Sequence, residues 1–300
     1  MSWQMHVAAT YTRVLRKPRT YGSVRAAAAF LARPKSAPRP PETLSADKRL
    51  QLSRTTFGAF HCYTLQPRDQ GTPVADSGSI VYLHGGGYVN EIRSAHWNLA
   101  ADIADACHRP VHLPIYGLAP RHHAVEASGF VQAVIHSAAT VGPVYLVGDS
   151  SGGGLALAAA QNSMGVVRLA LRGITLISPW LDIALRNPDV HVVAPHDPWL
   201  SPHGLRYIGQ KWVGDLRDDD PRVSPLFGNS AGLPSIDLYV GTRDLFMPDC
   251  RLLRDRLDEG ALRYHEAPGA IHIYPLLPVP EGRRARLSLL AHMADSFTGD

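Results

Sequence analysis

Short apolar, β-prone runs alternate with longer runs of helical periodicity along most of this chain, and that alternation leaves few folds open. The runs at 57–65, 80–83, 111–113, 144–147, 174–177, 236–240 and 262–265 have the β-branched and aromatic content of strands. Those at 97–107, 125–139, 152–163, 248–257 and 283–293 read as helices. The pattern predicts an α/β fold with a mainly parallel sheet covered by helices on both faces. Several strands are unbroken apolar runs, as burial on both faces demands.

The rhythm fails in two places. Residues 33–42 hold four prolines and predict an extended linker, because proline lacks an amide donor and disfavours helix before it. They follow a helical stretch at 25–32, whose apolar run is too short and starts too far in to be a signal peptide. Between Ser178 and Ser235 a Pro- and His-containing stretch carries one expected helix near 204–212. An insertion of that length after a core strand suits a lid over a site. The expected division is a cap segment and linker over 1–50 and a catalytic domain over 51–300, with a cap insertion at about 182–219.

Charge is unevenly placed. Residues 1–50 carry ten Lys/Arg against Glu42 and Asp47, a net of +8 in a chain whose formal net charge is +4. Without an aromatic stacking pattern or nucleic-acid motif, this reads as a solvated basic face of the cap and predicts no nucleic-acid partner. No stretch reaches the roughly 18–20 apolar residues of a membrane span. The sequence also offers no strongly apolar helix face beside the basic arm, so stable membrane insertion is not expected. Cys62, Cys107 and Cys250 form no CxxC pair, which fits a reducing, cytoplasmic setting. A homodimer is allowed but not indicated.

The chemistry concentrates in a few motifs. Gly148-Asp149-Ser150-Ser151-Gly152-Gly153 follows the run Val144-Tyr145-Leu146-Val147 and opens an Ala-rich segment, so G-x-S-x-G falls at a strand–turn–helix junction. Glycines there allow a sharp turn that lifts Ser150 off the sheet at a helix N-terminus. The amide of Ser151, just past the turn, is positioned for an oxyanion. Upstream, Gly85-Gly86-Gly87 follow Ile80-Val81-Tyr82-Leu83-His84. No G-K-[ST] or G-x-G-x-x-G follows, so an oxyanion loop is favoured over a phosphate loop. A serine hydroxyl needs a base and a group that orients the base. Asp244, just after the strand Leu238-Tyr239-Val240, is preferred over Asp249 as orienter, and His272, in the last strand–helix loop, over His265 as base. The remaining histidines, His108, His112, His122, His123, His191, His196 and His203 among them, make no H-E-x-x-H pattern, and neither a catalytic metal nor another cofactor is expected.

These motifs together resemble the hormone-sensitive-lipase-like esterases of the α/β-hydrolase superfamily, in their bacterial branch. The resemblance runs from Ser79 to His272. It rests on His84-Gly85-Gly86-Gly87, Pro114-Ile115-Tyr116-Gly117-Leu118-Ala119-Pro120, the Gly148–Gly153 turn, Asp220-Pro221-Arg222-Val223-Ser224-Pro225-Leu226, Gly241-Thr242-Arg243-Asp244 and His272. It implies an eight-stranded sheet and a helical cap built from the N-terminal segment plus Asp182–Asp219. It also implies amide donors at Gly86, Gly87 and Ser151, with Gly85 completing the oxyanion loop and His84 and Tyr116 as supporting motif residues. The activity implied is cofactor-free hydrolysis of small-molecule esters of short to medium chain length. Two positions depart from the family: Arg121 where glutamate is common, and Ile273-Tyr274 where Gly-Phe is common. The same residues leave open an amidase or other acyl hydrolase, and a ligand-binding homologue that does no chemistry.

Overall fold

In the computed structural model, which describes residues 1–35, 38–68 and 78–297, eight strands form one sheet. They are β1 (Leu50–Phe57), β2 (Phe60–Pro67), β3 (Ser79–Leu83), β4 (Val111–Ile115), β5 (Val144–Asp149), β6 (Leu171–Ile177), β7 (Ile236–Gly241) and β8 (Leu262–Ala267). The order across the sheet is β1-β2-β4-β3-β5-β6-β7-β8. Strands β3 to β8 pair in parallel, while β1–β2 and β2–β4 pair antiparallel. The sheet is thus eight-stranded and mostly parallel, as expected.

One expected strand, 57–65, is in fact half of a hairpin. The chain reverses at Gly58-Ala59, with Phe57 paired to Phe60 and Gly58 at φ +58°. The partner β1 was missed because its sequence, Leu-Gln-Leu-Ser-Arg-Thr-Thr-Phe, is largely polar and exposed, as an edge strand tolerates. The central strands β3, β5 and β7 are buried at every residue, which is why their sequences do not alternate.

Helices Ser94–Cys107, Ala124–Ala139, Ser151–Gln161, Met247–Arg256 and Pro280–Asp295 begin and end close to the expected positions. A short helix at Gly165–Ala170 was not anticipated. Successive strand residues face opposite sides of the sheet. Ile80 and Tyr82 accordingly join one hydrophobic cluster, with helices 94–107 and 280–295, and Val81 and Leu83 join the other, with 124–139 and 151–161.

The N-terminal segment is helical and moored at both ends. Helix Trp3–Tyr11 is capped by Ser2, whose Oγ accepts from Met5 N and donates to Glu281. It continues through a π-turn at Thr12–Arg16 into Lys17–Thr20. Helix Val24–Leu31, capped by Ser23, buries Ala27 and Leu31 and packs against Pro202–Val213 of the insertion. Gly204 permits that approach, because a Cβ there would sit 2.1 Å from the Tyr21 carbonyl oxygen. Of the proline-rich 33–42 stretch, residues 36 and 37 lie outside the described residues. Among the described residues no helix is long and apolar enough to cross a membrane.

The insertion is fastened to the core by aromatic packing. Trp212 stacks on Tyr88 with ring centroids 4.2 Å apart and planes 6° from parallel, and Tyr88 in turn stacks on Trp180. Trp212→Ala is expected to lower the unfolding free energy by about 3–5 kcal/mol, the usual cost of deleting a buried aromatic. Urea denaturation checks this; a loss below about 1 kcal/mol would mean that the insertion packs some other way.

Candidate active site

The turn from β5 into helix Ser151–Gln161 places Ser150 at φ +54° and ψ −122°, a conformation that costs a non-glycine residue energy and has to be held by its surroundings. Three backbone amides hold it: Gly153, Gly154 and Trp180 all donate to the Ser150 carbonyl, while Ser150 N donates to Ile177 O. The glycines make room. A Cβ at Gly148 would lie 2.3 Å from Gly152 O, and one at Gly152 would lie 2.0 Å from Leu83 O.

His272 and Asp244 reach Ser150 from the ends of β8 and β7. His272 Nδ1 is 3.0 Å from Asp244 Oδ2, and His272 Nε2 is 3.0 Å from Ser150 Oγ. A carboxylate only accepts, so Nδ1 carries the proton and Nε2 of the neutral ring accepts from the serine hydroxyl. Asp244 is fully buried, and its other oxygen accepts from Phe246 N, so it caps the following turn as well. Burial of the His272 ring works to lower its pKa, but Asp244, then Asp197 and Asp149, outweigh it and the net shift is upward. The edges of the imidazole and of Phe246 and Trp199 meet in near-perpendicular contacts that fix the ring plane. The rejected alternatives stay apart from this relay. Asp249 lies on the next helix, pushed up to about 7 by burial and by Asp182. His265 lies within β8 and stacks on Tyr239 of β7.

The glycine loop after β3 faces the serine. Gly86 and Gly87 adopt φ +133° and +63°, and a Cβ at either would meet Asn90 O or the Tyr21 ring. Among the described backbone hydrogen bonds, the amides of Gly86, Gly87 and Ser151 have no acceptor, and Gly86 lines the cavity that holds Ser150. Gly85, grouped with the oxyanion loop from the sequence, is a support of that loop and not a donor. Its amide donates to Asp149 Oδ1 at 2.9 Å, so it anchors the loop and is not free to receive an oxyanion. His84 stacks on Tyr116 at 4.6 Å, and burial drops its pKa to about 4, so it is neutral packing. Tyr116 Oη–H donates to His84 O at 2.5 Å, tying the loop to the end of β4.

A family model described as the α/β-hydrolase fold matches residues 80–276. An acetyl-hydrolase of Streptomyces hygroscopicus is 30% identical over 220 residues, covering 70% of this chain and 73% of its own length. An esterase of Acinetobacter venetianus is 30% identical over 191 residues, covering 62% of this chain; the matched part spans only 63% of that relative. The crystal structure of an esterase/lipase from an uncultured bacterium superposes with a TM-score of 0.78 at 21% identity, each chain fully covered, and speaks for the fold. The chain belongs to the α/β-hydrolase fold family. Within it, it falls among the hormone-sensitive-lipase-like esterases.

In this α/β-hydrolase the residue between Gly148 and Ser150 turns out to organise the turn, a role the sequence motif did not disclose. Asp149 is completely buried and accepts from Tyr82 Oη–H as well as Gly85 N, with His96 Nε2 3.4 Å away. Arg93 N donates to His96 Nδ1, which leaves the His96 proton on the side facing Asp149. Desolvation opposes ionisation of this carboxyl, but His96, Tyr82 and Gly85 outweigh it and its pKa is lowered. Asp197 was also missed. It accepts from Trp199 N and Leu200 N on one oxygen and from Leu245 N on the other, which links the insertion to the residue after Asp244. The signal for both was an aspartate amid apolar neighbours, easily read as a turn residue.

The Asp220–Leu226 motif holds the insertion and touches none of these groups: Ser224 Oγ accepts from Ile183 N and donates to Asp218 O. His265 and His292 gather around Asp237. Arg263 donates to both Asp237 oxygens at 2.7 Å, so a guanidinium already occupies the place a cation would take. An arginine ion-pair network fits this donor set and a metal does not. A cavity of about 730 Å³ opens on Ser150 and His272 and is walled by Gly86, Trp199, Leu200 and the N-terminal helix.

The charges around His272 predict its titration. Its midpoint, followed by NMR of the imidazole protons, is expected above 6.5, to fall most in Asp244→Asn and less in Asp197→Asn. A wild-type midpoint below 6.5 would mean that desolvation, not the carboxylates, governs the ring.

Proposed function

We propose that this chain is a serine carboxylic ester hydrolase acting on small-molecule esters of short to medium chain length. The observation that carries the proposal is the unbroken relay Ser150–His272–Asp244 at 3.0 Å per step, with the serine on a held positive-φ turn. Relatives named as an esterase and an acetyl-hydrolase lend it support.

In this reading the chemistry runs through an acyl-enzyme. As Ser150 Oγ attacks the acyl carbon, its proton passes to His272 Nε2. Asp244 keeps the Nδ1 proton in place and stabilises the imidazolium that forms. The amides of Gly86, Gly87 and Ser151 receive the tetrahedral oxyanion, each worth about a hundredfold to a thousandfold in rate. His272 then gives its proton to the leaving alkoxide, the alcohol departs, and the same ring deprotonates the water that frees Ser150. No step needs a cofactor.

Residues 1–50 and the 182–219 insertion act in this reading as the cap, since both wall the cavity or pack on its walls. A volume of about 730 Å³ admits short and medium acyl chains. Free thiols at Cys62, Cys107 and Cys250 suit a reducing, cytoplasmic location.

Hydrolysis of a nitrophenyl ester series from acetate to palmitate, with an anilide as the amide control, tests the proposal. Wild type is expected to turn over the shorter esters. Ser150→Ala should lose roughly 10⁴–10⁶ in kcat while keeping its circular dichroism. Retained turnover in that variant would remove Ser150 as nucleophile; cleavage of the anilide in preference to every ester would make the chain an amidase.

A further inference from the structure

Helix Trp3–Tyr11 is apolar on two opposite sides. Met5 and Ala9 point into the core. Trp3, Val7 and Tyr11, spaced four residues apart, stand 71%, 58% and 49% exposed, and Val14 beyond them is 62% exposed. No globular chain gains by showing such a stripe to water, and contiguous exposed apolar surface of this kind marks an interaction site.

The charge that residues 1–41 themselves carry is of one sign. The first acidic residue in the chain is Glu42, and eight Lys/Arg precede it. Among the described residues, Arg13, Arg16, Arg19 and Arg33 form no ion pair with a carboxylate. Trp3, Val7, Tyr11, Arg16 and Arg19 also line the cavity that holds Ser150. Substrate binding alone does not account for the stripe, since Val14 and Leu15 are exposed outside that lining.

We infer that this outer face docks on a bilayer surface carrying anionic phospholipids, with the mouth of the Ser150 cavity turned toward the lipid. Exposed apolar side chains lose contact with water when they enter the headgroup–acyl boundary, where Trp and Tyr are especially favoured. Arginines beside them are drawn to the negative surface. Docking requires both, because either alone binds weakly. The uniform positive charge selects an anionic partner over a second copy of this chain, whose like face would repel it.

Co-sedimentation with vesicles decides the matter, using phosphatidylcholine alone and phosphatidylcholine with about 30% phosphatidylglycerol, a content that gives a strongly negative surface. Wild type is expected to sediment at least tenfold more tightly with the anionic vesicles, and less as salt screens the surface. Val14→Glu/Arg13→Glu, outside the cavity, should weaken this at least tenfold while leaving turnover of a soluble short ester and the circular dichroism unchanged. Equal binding to both vesicle types, or a double variant that sediments like wild type, overturns the inference. So does a wild-type dimer that the double variant dissociates, since the face would then meet a second copy. Sedimentation needs no catalysis: inactive protein that sediments keeps this inference and loses the esterase proposal, and active protein that does not sediment does the reverse.

Discussion

The site is built on one backbone constraint, the positive φ of Ser150 at the end of β5. A residue in that region is stable only if its neighbours leave it no alternative. Here they converge from three directions. Helix 151–161 presses its first turn against β3 so closely that Gly152 has no room for a side chain beside Leu83 O. The segment after β6 returns a Trp180 amide to the Ser150 carbonyl. Below the turn, Asp149 ties it to the start of the glycine loop. The serine turn and the loop that faces it are therefore tied together, by the buried Asp149 carboxylate and by Tyr88 N donating to Ser151 Oγ.

That carboxylate is one of three buried aspartates near the His272 ring, and they do different work. Asp149 is held ionised by donors and by His96 despite its burial. Asp244 hydrogen-bonds the ring itself. Asp197 is pushed up to about 6 by burial and by Asp244, while the Leu200 and Trp199 amides and the nearby His272 offset part of that rise. Charges in a poorly screened interior act over longer distances than at the surface. The imidazole accordingly feels all three, while only Asp244 sets its tautomer. Asp197 also fixes the backbone after Asp244, so the insertion influences the ring both electrostatically and through the loop it steadies.

How much of this was readable follows from what each feature leaves in sequence. The parallel strands and their helices were legible because full burial writes continuous apolar runs and helical periods into the chain. The order Ser150, Asp244, His272 was legible because each residue sits just past such a run. Strand β1 was not, since an edge strand facing water keeps a polar composition, and a turn of only Gly58-Ala59 hides within the neighbouring run. Three identical letters do not by themselves separate Gly85 from Gly86; the resemblance gave them different parts, and the acceptor of the Gly85 amide, Asp149, comes only from the fold. His96, Tyr82 and Asp197 were invisible for a different reason. Their partners are 53, 67 and 48 residues away along the chain, and no local pattern encodes such pairings.

The second apolar side of the N-terminal helix was not anticipated, because it violates the rule by which amphipathic helices are found. A search for an apolar face assumes that the opposite face is polar. Helix Trp3–Tyr11 carries Met5 and Ala9 on one side and Trp3, Val7 and Tyr11 on the other, so the two apolar faces cancel and leave no periodic contrast. One side is explained by the core beneath it, and Ser2 and Glu281 pin it there. That mooring fixes the direction of the second side, because a helix held by its buried face cannot rotate its exposed face away from water. The exposed aromatics thus remain at the rim of the Ser150 cavity, and whatever approaches that cavity from outside meets Trp3, Val7 and Tyr11 on its way in.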